Sequence, residues 1–435
     1  MDGSRMSVLR IKGGTPLRGE VNVAGSKNAA LAILASVPLV DGTVVLRNVP
    51  NISDIRIKLS LLERLGVVSE FREGSLVIDT KGLKAADLPE DDVRKIRTGF
   101  YMLGPLLMRL GSISLPMPGG CKIGARPVDL HLDGLRSMGT EIETVSGNYV
   151  AKSDGMQGTE LFLKMPSAGA TQHLLATATL VPGCTVIKNA SIEPEVVSLA
   201  GFLQAAGAKI EGAGTSTITI MGVDRLESCE YSVPADRMQA GTYLIAAAIT
   251  DGDVTCRGIL PEEQTALINT LKEAGYHAEE GHDWVRVWSE GRGRGIRVKT
   301  MPYPGFPTDI QQPLAALLTL CTGPSSIEET IYESRIGHIG ELQRMGANIR
   351  SEGRFTIIEG ITELQGAVVE ASDLRAGAAL CLAAFAAHGE TVIKNVVYID
   401  RGYERLEETF TELGGHIERI TEKEWARSNE SVRQK

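Results

Sequence analysis

Nothing in the chain announces a cofactor. It has no Walker A run, no G-x-G-x-x-G behind a strand, no H-E-x-x-H or H-x-H among its seven histidines and no C-x-x-C among its six cysteines. These absences remove the sequence signatures of phosphate cradles, dinucleotide folds and zinc sites. The cysteines (Cys121, Cys184, Cys229, Cys256, Cys321, Cys381) are scattered, which also argues against a disulfide framework. Five of them, all but Cys121, read as small buried apolar side chains. A formal net charge of −9 is the wrong sign for a general nucleic-acid binder. The longest apolar stretches, such as Ala29–Val40, are too short to span a bilayer, and no basic stretch followed by an apolar one opens the chain. The expectation is a globular cytoplasmic protein with no metal, dinucleotide, nucleic-acid, membrane or obligate protein partner. At 435 residues and 43% hydrophobic it is long enough for two or more domains.

What is present is a repeat. A Leu-x-x-x-Gly segment followed by a short strand-like run recurs at Leu62–Gly66, Leu135–Gly139, Leu203–Gly207, Leu271–Gly275 and Leu342–Gly346, with a degenerate copy at Phe410–Gly414. Between these lie Ala/Leu-rich helical stretches ended by a glycine and followed by β-branched residues, as in Ala29–Leu39 with Gly42 and Leu174–Leu180 with Gly183. Glycine after apolar periodicity is a helix stop, and branched residues suit a strand. Six units of two helices each follow, and a unit of this size cannot bury its own apolar surface. Three units packed together can, so we expect an α/β protein of two three-repeat domains, helices inside and sheets outside. The boundaries fall at residues 27–234 for the first domain and 1–26 plus 235–420 for the second, with a polar tail at 421–435 expected as a surface helix or disordered. The cleft between halves is the expected ligand site.

Several charged residues break their local pattern. Cys121 sits in the glycine-rich run Pro118-Gly119-Gly120-Cys121-Lys122 ahead of Arg126, where nearby cations stabilise a thiolate. Lys27 opens an apolar helix, where the macrodipole favours an acid; it is either a surface lysine or the seat of an anion. Asp309, after the loop Met301–Phe306, has the position of a helix N-cap, and it is also a candidate general base. Arg335, Arg375 and Arg401 recur at strand-to-helix junctions of the second half. Each alone reads as an exposed ion-paired arginine; together with Lys27, Arg97 and Arg126 they suggest a cage for a small phosphorylated carboxylate. The run Gly291-Arg292-Gly293-Arg294-Gly295, between Trp284–Trp288 and Ile296–Lys299, reads as a solvated hairpin loop.

Gly25-Ser26-Lys27-Asn28-Ala29-Ala30-Leu31, Ala125-Arg126-Pro127-Val128-Asp129-Leu130-His131, Phe306-Pro307-Thr308-Asp309, Asp373-Leu374-Arg375 and Asp400-Arg401-Gly402-Tyr403-Glu404 closely resemble the UDP-N-acetylglucosamine 1-carboxyvinyltransferases of the enolpyruvyl transferase family, over about Leu9 to Ile420. The resemblance implies a two-domain inside-out α/β barrel of six βαβαββ-type repeats. It also implies transfer of enolpyruvyl from phosphoenolpyruvate to the 3′-hydroxyl of UDP-N-acetylglucosamine, the first committed step of peptidoglycan synthesis.

Carried over by motif, Cys121 is the general acid toward C3 of phosphoenolpyruvate and Asp309 accepts the proton of the 3′-hydroxyl. Lys27, Arg126 and Arg401 hold the phosphate, and Arg335 and Arg375 lie near the carboxylate. Asn28, Arg97, the stretch Arg126, Pro127, Val128, Asp129 and Leu130, and Ser167, Ala168 and Gly169 line the nucleotide-sugar site; Ile331 and Asp373 also contact substrate. Ser53 and Met165 depart from lysines of some members. A paralogue acting on another nucleotide or on shikimate 3-phosphate is the alternative, although the shikimate enzymes lack the cysteine loop.

Overall fold

The structure, a computed structural model, describes residues 7–118 and 128–433. Among them six small sheets are divided equally between two compact units, one of residues 24–118 and 128–235, the other of 7–23 and 236–433. A representative repeat runs through the edge strand Glu160–Phe162, the helix Ala168–Ala178, the central strand Cys184–Lys188, the helix Pro194–Ala205 and the strands Lys209–Glu211 and Thr217–Met221. The edge strand is parallel to the central one, Leu161 opposite Ile187, and the closing hairpin is antiparallel to it, Thr219 opposite Val186. A parallel neighbour demands a crossover, which the first helix supplies. The same βαβαββ order recurs in both units; the sheet Ser112–Pro116, Asn148–Lys152, Glu141–Val145 has three strands where the others have four.

Each unit closes on itself by lending a strand from one end to the other. Leu226–Ser232 runs parallel to Val40–Arg47, supplying the first repeat's edge strand. In the other unit Arg18–Asn22 is the parallel edge of Asp253–Arg257, and Ser7–Lys12 lies between Glu390–Lys394 and His416–Thr421. At the entrance and exit of residues 24–235, Gly25 bridges Ala235, and the Ser26 amide donates to the Pro234 carbonyl at 2.7 Å.

The first helix of each repeat is the inner one. Every residue of Arg237–Ile249 and of Gln311–Leu318 is buried, as are nine of the ten in Lys27–Ser36. Helices apolar on all sides belong at a centre. The second helices are amphipathic; Ser53–Arg64 buries Asp54, Ile55, Lys58, Leu59, Leu61 and Leu62 and exposes much of the rest. Strands alternate, as in Val40–Arg47, where residues 40, 42, 44 and 46 are buried. One sheet face therefore covers the helices and the other meets solvent.

The Leu-x-x-x-Gly repeat has a local cause. All six glycines (Gly66, Gly139, Gly207, Gly275, Gly346, Gly414) have φ between 85° and 104°. Each follows the last turn of a second helix and closes it in the same way. At Gly207 the glycine amide donates to Gln204 O at 2.9 Å, and the next amide, Ala208, donates back to Leu203 O at 2.9 Å. This is the Schellman closure, which needs a left-handed residue. The leucine four residues earlier anchors the turn: Leu62, Leu135, Leu203, Leu271, Leu342 and Phe410 are all 0% exposed.

Two expectations are corrected. Gly291–Gly295 is not a hairpin loop: Trp284–Trp288 pairs with Asp253–Arg257, whereas Arg297–Lys299 pairs with Pro324–Glu328 in a different sheet. The run joins two repeats, and its arginines satisfy carbonyls at the C-terminal ends of helices, Arg292 Nε donating to Leu320 O and Arg294 Nε to Glu273 O, each at 2.8 Å. Of the five cysteines read as buried, only Cys256, Cys321 and Cys381 are; Cys184 is exposed on an outward strand position, and Cys229 is half-buried on the edge strand Leu226–Ser232, opposite Val44 and packed against the core. The tail contains the helix Glu422–Arg433, opened by a capping box in which Thr421 Oγ1 accepts from the Glu424 amide and Glu424 Oε2 from the Thr421 amide.

Gly207→Ala tests the left-handed closure. An added Cβ meets nothing within 4 Å, so the cost is conformational, about 1 kcal/mol, and thermal unfolding should show a lowered midpoint. Gly340→Ala, in the helix Ile339–Arg344 and equally uncrowded, should be neutral or stabilising by up to about 1 kcal/mol. Equal effects at both sites would contradict this reading.

Candidate active site

Among the candidate residues, Asp129, Leu130, Arg335 and Arg401 lie at or ahead of second helices. Several others (Lys27, Asn28, Ser167, Ala168, Gly169, Asp309, Asp373 and Arg375) lie at the N-termini of inner helices, where four orphan N–H groups and the macrodipole favour negative charge. In four repeats a side chain caps this end. Ser26 Oγ accepts from the Ala29 amide at 3.3 Å, Ser167 Oγ from Ala170 at 3.3 Å, Asp236 Oδ1 from Met238 and Gln239 at 2.9 and 3.0 Å, and Asp373 Oδ1 from Arg375 and Ala376 at 2.9 and 3.0 Å. Each of these four helices has no acid in its first turn. Lys27, Arg237 and Arg375 stand there instead, against the dipole.

Asp309 is the exception. Although it has the position of a cap, it lies inside the short 3₁₀ turn Thr308–Ile310 ahead of Gln311–Leu318, whose N-cap makes no side-chain bond. Its carboxylate turns to two buried arginines. Arg335 Nη1 reaches Oδ1 at 2.9 Å, and Arg375 Nη2 and Nε reach Oδ2 at 3.1 and 3.3 Å. Both arginine side chains are 4% exposed and that of Asp309 23%. The expectation of exposed arginines is thus corrected for these two. Burial alone would lower the pKa of Arg375, but Asp309, Tyr403 and Asp236 raise it, so the guanidinium stays charged.

Unforeseen residues brace this cluster. Glu329, 6% exposed, accepts from Thr300 Oγ1 and from the Ile331 and Tyr332 amides with Oε1, at 2.9, 2.8 and 3.1 Å, and from Thr308 Oγ1 with Oε2 at 2.8 Å. Thr308 Oγ1 in turn meets Arg335 Nη1 at 2.8 Å. Arg375 Nη1 donates to the Tyr403 hydroxyl at 3.2 Å, which meets Thr242 Oγ1 at 2.7 Å. Arg335 Nε is buried with no hydrogen-bond partner, an unsatisfied donor of a charged group. Asp373 Oδ2 accepts from Gln312 Nε2 at 3.3 Å. Arg401 ends the 3₁₀ turn Val396–Arg401, half-buried, two residues before Tyr403.

In residues 24–235, Lys27 is neither a surface lysine nor alone: it is 9% exposed, and its Nζ lies 2.8 Å from Asp54 Oδ2. Asn28 beside it is exposed. Arg97 starts the 3₁₀ turn Arg97–Met102. Val128 precedes the helix Asp129–Ser137, with Asp129 exposed and Leu130 half-buried at its start. Ser167, Ala168 and Gly169 form the start of Ala168–Ala178, and a Cβ on Gly169 would stand 2.2 Å from the Tyr101 hydroxyl. Behind them two buried imidazoles touch, His131 Nδ1 to His173 Nδ1 at 3.0 Å, while His173 Nε2 accepts from the Gly104 amide at 2.9 Å. Burial, with Lys58 adding to it, pushes His173 down to about 3, so the imidazole is neutral. The unfolded chain takes up that proton near pH 6.5 and the folded one only near 3; stability therefore falls as pH drops across that window.

Cys121, Arg126 and Pro127 lie outside the described residues. Among the described residues no cluster of three or more His, Cys, Asp or Glu side chains fits a metal ion, and no helix is long and apolar enough to cross a membrane. Burial raises the thiols of Cys256, Cys321 and Cys381, the last to about 12.

Comparison with known proteins follows the same lines. A family model described as EPSP synthase (3-phosphoshikimate 1-carboxyvinyltransferase) matches residues 11–410. The UDP-N-acetylglucosamine 1-carboxyvinyltransferase of Finegoldia magna is 45% identical over 419 residues, 95% of this chain and 99% of that one. A protein named UDP-N-acetylglucosamine 1-carboxyvinyltransferase 2, from Carboxydothermus hydrogenoformans, is 46% identical over 96% of this chain and all of its own. The fold matches the enolpyruvyl transferase NikO from Streptomyces tendae (TM-score 0.86, 24% identity, covering 96% of this chain and 99% of that one). It also matches an EPSP synthase from Acinetobacter baumannii (TM-score 0.73, 20% identity, 96% and 100%).

Asp309→Ala would leave two buried guanidiniums without their shared carboxylate, with Asp236 the remaining acid acting on Arg375. We expect a loss of roughly 3–5 kcal/mol in urea unfolding of the unliganded protein. A loss under about 1 kcal/mol would contradict the clamp as the arginines' main support.

Proposed function

The chain belongs to the UDP-N-acetylglucosamine 1-carboxyvinyltransferase family of enolpyruvyl transferases, and we propose that it moves the enolpyruvyl group of phosphoenolpyruvate to the 3′-hydroxyl of UDP-N-acetylglucosamine, releasing phosphate. In a bacterial cell this is a cytoplasmic step that commits the nucleotide sugar to peptidoglycan.

The observation that carries this reading is the carboxylate clamped by two buried arginines, one of which keeps an unsatisfied N–H. Such an arrangement is poised for exchange. As long as Arg335 and Arg375 hold Asp309, its carboxylate is a weak base. An anionic substrate that takes the guanidiniums releases Asp309 from two opposite charges, and a carboxylate without them is more basic. Substrate arrival thereby prepares the base that removes the 3′-hydroxyl proton. Glu329 and Tyr403 hold the arginines and the loop in register throughout.

In the addition step the Cys121 thiol gives its proton to C3 of phosphoenolpyruvate while the sugar oxygen bonds to C2 and its proton passes to Asp309. The tetrahedral phospholactoyl ketal so formed then loses phosphate as C3 gives up a proton, leaving the enol ether on the sugar. Lys27, Arg126 and Arg401 carry the charge that grows on the phosphate as its C–O bond breaks, with Arg335 and Arg375 on the carboxylate. Asn28, Arg97, Val128, Asp129, Leu130, Ser167, Ala168, Gly169, Ile331 and Asp373 hold the nucleotide sugar; Gly169 leaves the backbone open where any side chain would strike Tyr101.

A coupled phosphate-release assay with a panel of acceptors tests the reaction. Phosphate should appear from phosphoenolpyruvate only with UDP-N-acetylglucosamine. Comparable turnover with shikimate 3-phosphate or UMP would overturn the acceptor assignment. Asp309→Ala should lose turnover by at least about a hundredfold, the usual share of a general base. Cys121→Ser should stop turnover or product release and abolish covalent labelling by the epoxide fosfomycin. Labelling that persists without the thiol would remove Cys121 from its role.

A further inference from the structure

One helix carries two buried charged side chains, a single turn apart, that the proposed reaction does not use. In Ser53–Arg64, Asp54 and Lys58 stand at i and i+4 and are 3% and 0% exposed. Asp54 Oδ2 accepts from Lys27 Nζ at 2.8 Å. Lys58 Nζ donates to the carbonyl of Thr98, the residue after Arg97. One helical turn thereby ties together the two described cations of this unit that were assigned to substrate. A wholly buried ammonium is costly to desolvate, and a methionine would fill the same space without that cost.

Resting on the function proposed above, we infer that Asp54 and Lys58 are positioning residues that fix the spacing and the net charge of Lys27 and Arg97 for an anionic nucleotide sugar. The groups around Lys58 are Asp54 on its own helix, the Thr98 carbonyl from the Arg97–Met102 turn, and neutral His173 from Ala168–Ala178. Lys27 lies beyond Asp54, and Arg97 beside Thr98. Burial lowers Lys58 to about 7, with Asp54 opposing the shift. Below that pH one carboxylate is shared by two ammonium groups and the cluster holds an extra positive charge. Above it Lys58 is neutral, the extra charge is gone, and the pull on an anion weakens. Affinity for UDP-N-acetylglucosamine, whose diphosphate does not titrate in this range, therefore falls as pH rises through about 7.

The test compares the full-length wild-type protein with Lys58→Met between pH 6 and 9, measuring kcat and KM for UDP-N-acetylglucosamine. The wild-type KM should rise severalfold across that range. The variant should be flat, with KM at pH 6 about tenfold above wild type and kcat within about threefold. A purely structural lysine would shift the unfolding temperature and leave the pH profile in place. Where Lys58→Met does not fold, Asp54→Asn serves: without the carboxylate that raises Lys58, the pH limb should move to lower pH. Identical KM values and pH profiles in wild type and variant overturn the inference. A wild-type protein that turns over no UDP-N-acetylglucosamine defeats the functional reading instead. Sulfate affinity by calorimetry then decides the positioning role: a wild-type affinity that falls with pH and a flat Lys58→Met profile support it, and equal profiles overturn it.

Discussion

The clamp of Asp309 between Arg335 and Arg375 is the constraint on which the rest of the candidate site depends. It brings a turn at residues 308–310, a strand-to-helix junction near 335 and a helix start at 375 to one place, and it does so with buried charge. Buried charge tolerates no half-measures, because removing one partner strands the others. That explains the bracing around it. Glu329 receives four hydrogen bonds from residues 300–332, and Tyr403 ties Arg375 to Thr242. The cluster is also incomplete, since Arg335 Nε has no partner, and an incomplete cationic cluster is suited to receive an anion.

The six-fold repeat supplies the places for such chemistry. A helix apolar on every side has to sit at the centre, so its N-terminus is the one part free to carry polar function. Four inner helices use that end for ordinary capping. The helix that follows Asp309 gives its capping carboxylate to the arginines, and the helix that follows Ser26 begins with a buried lysine. Both choices cost local helix stability, and both are compensated by partners from another element, the pattern found where function overrides local preference.

The parts of the fold that rest on short-range rules were legible in the sequence. Each Leu-x-x-x-Gly marks a left-handed closure that needs glycine and a buried anchor, so the period survives wherever the closure does. The inner helices were legible because they lack a polar face. Strand pairing between repeats was not: Trp284–Trp288 and Arg297–Lys299 are neighbours in the chain, but each finds its partner in a different sheet, which no local spacing reveals. Cys184 was misread because one residue type serves either face of a strand, and Cys229 because its strand is the edge of its sheet, where the inward face is only partly covered. At the site, Asp309, Arg335 and Arg375 stood out by type and place, yet their mutual pairing spans 26 and 66 residues. Asp54 and Lys58 were missed because an acid and a lysine four apart on an amphipathic helix look like a surface pair. Only burial separates the two cases, and burial is a property of the whole unit.

The central claim is enolpyruvyl transfer by addition and elimination, with a proton delivered to C3 and later taken from it. Running the reaction in D₂O and examining the product by NMR tests it most directly. A thiol in exchange with solvent delivers deuterium to C3, so the enol ether on the sugar's 3′-oxygen should carry deuterium in its methylene group. A product formed with no deuterium there, or an enolpyruvyl group on any other oxygen, would contradict the account.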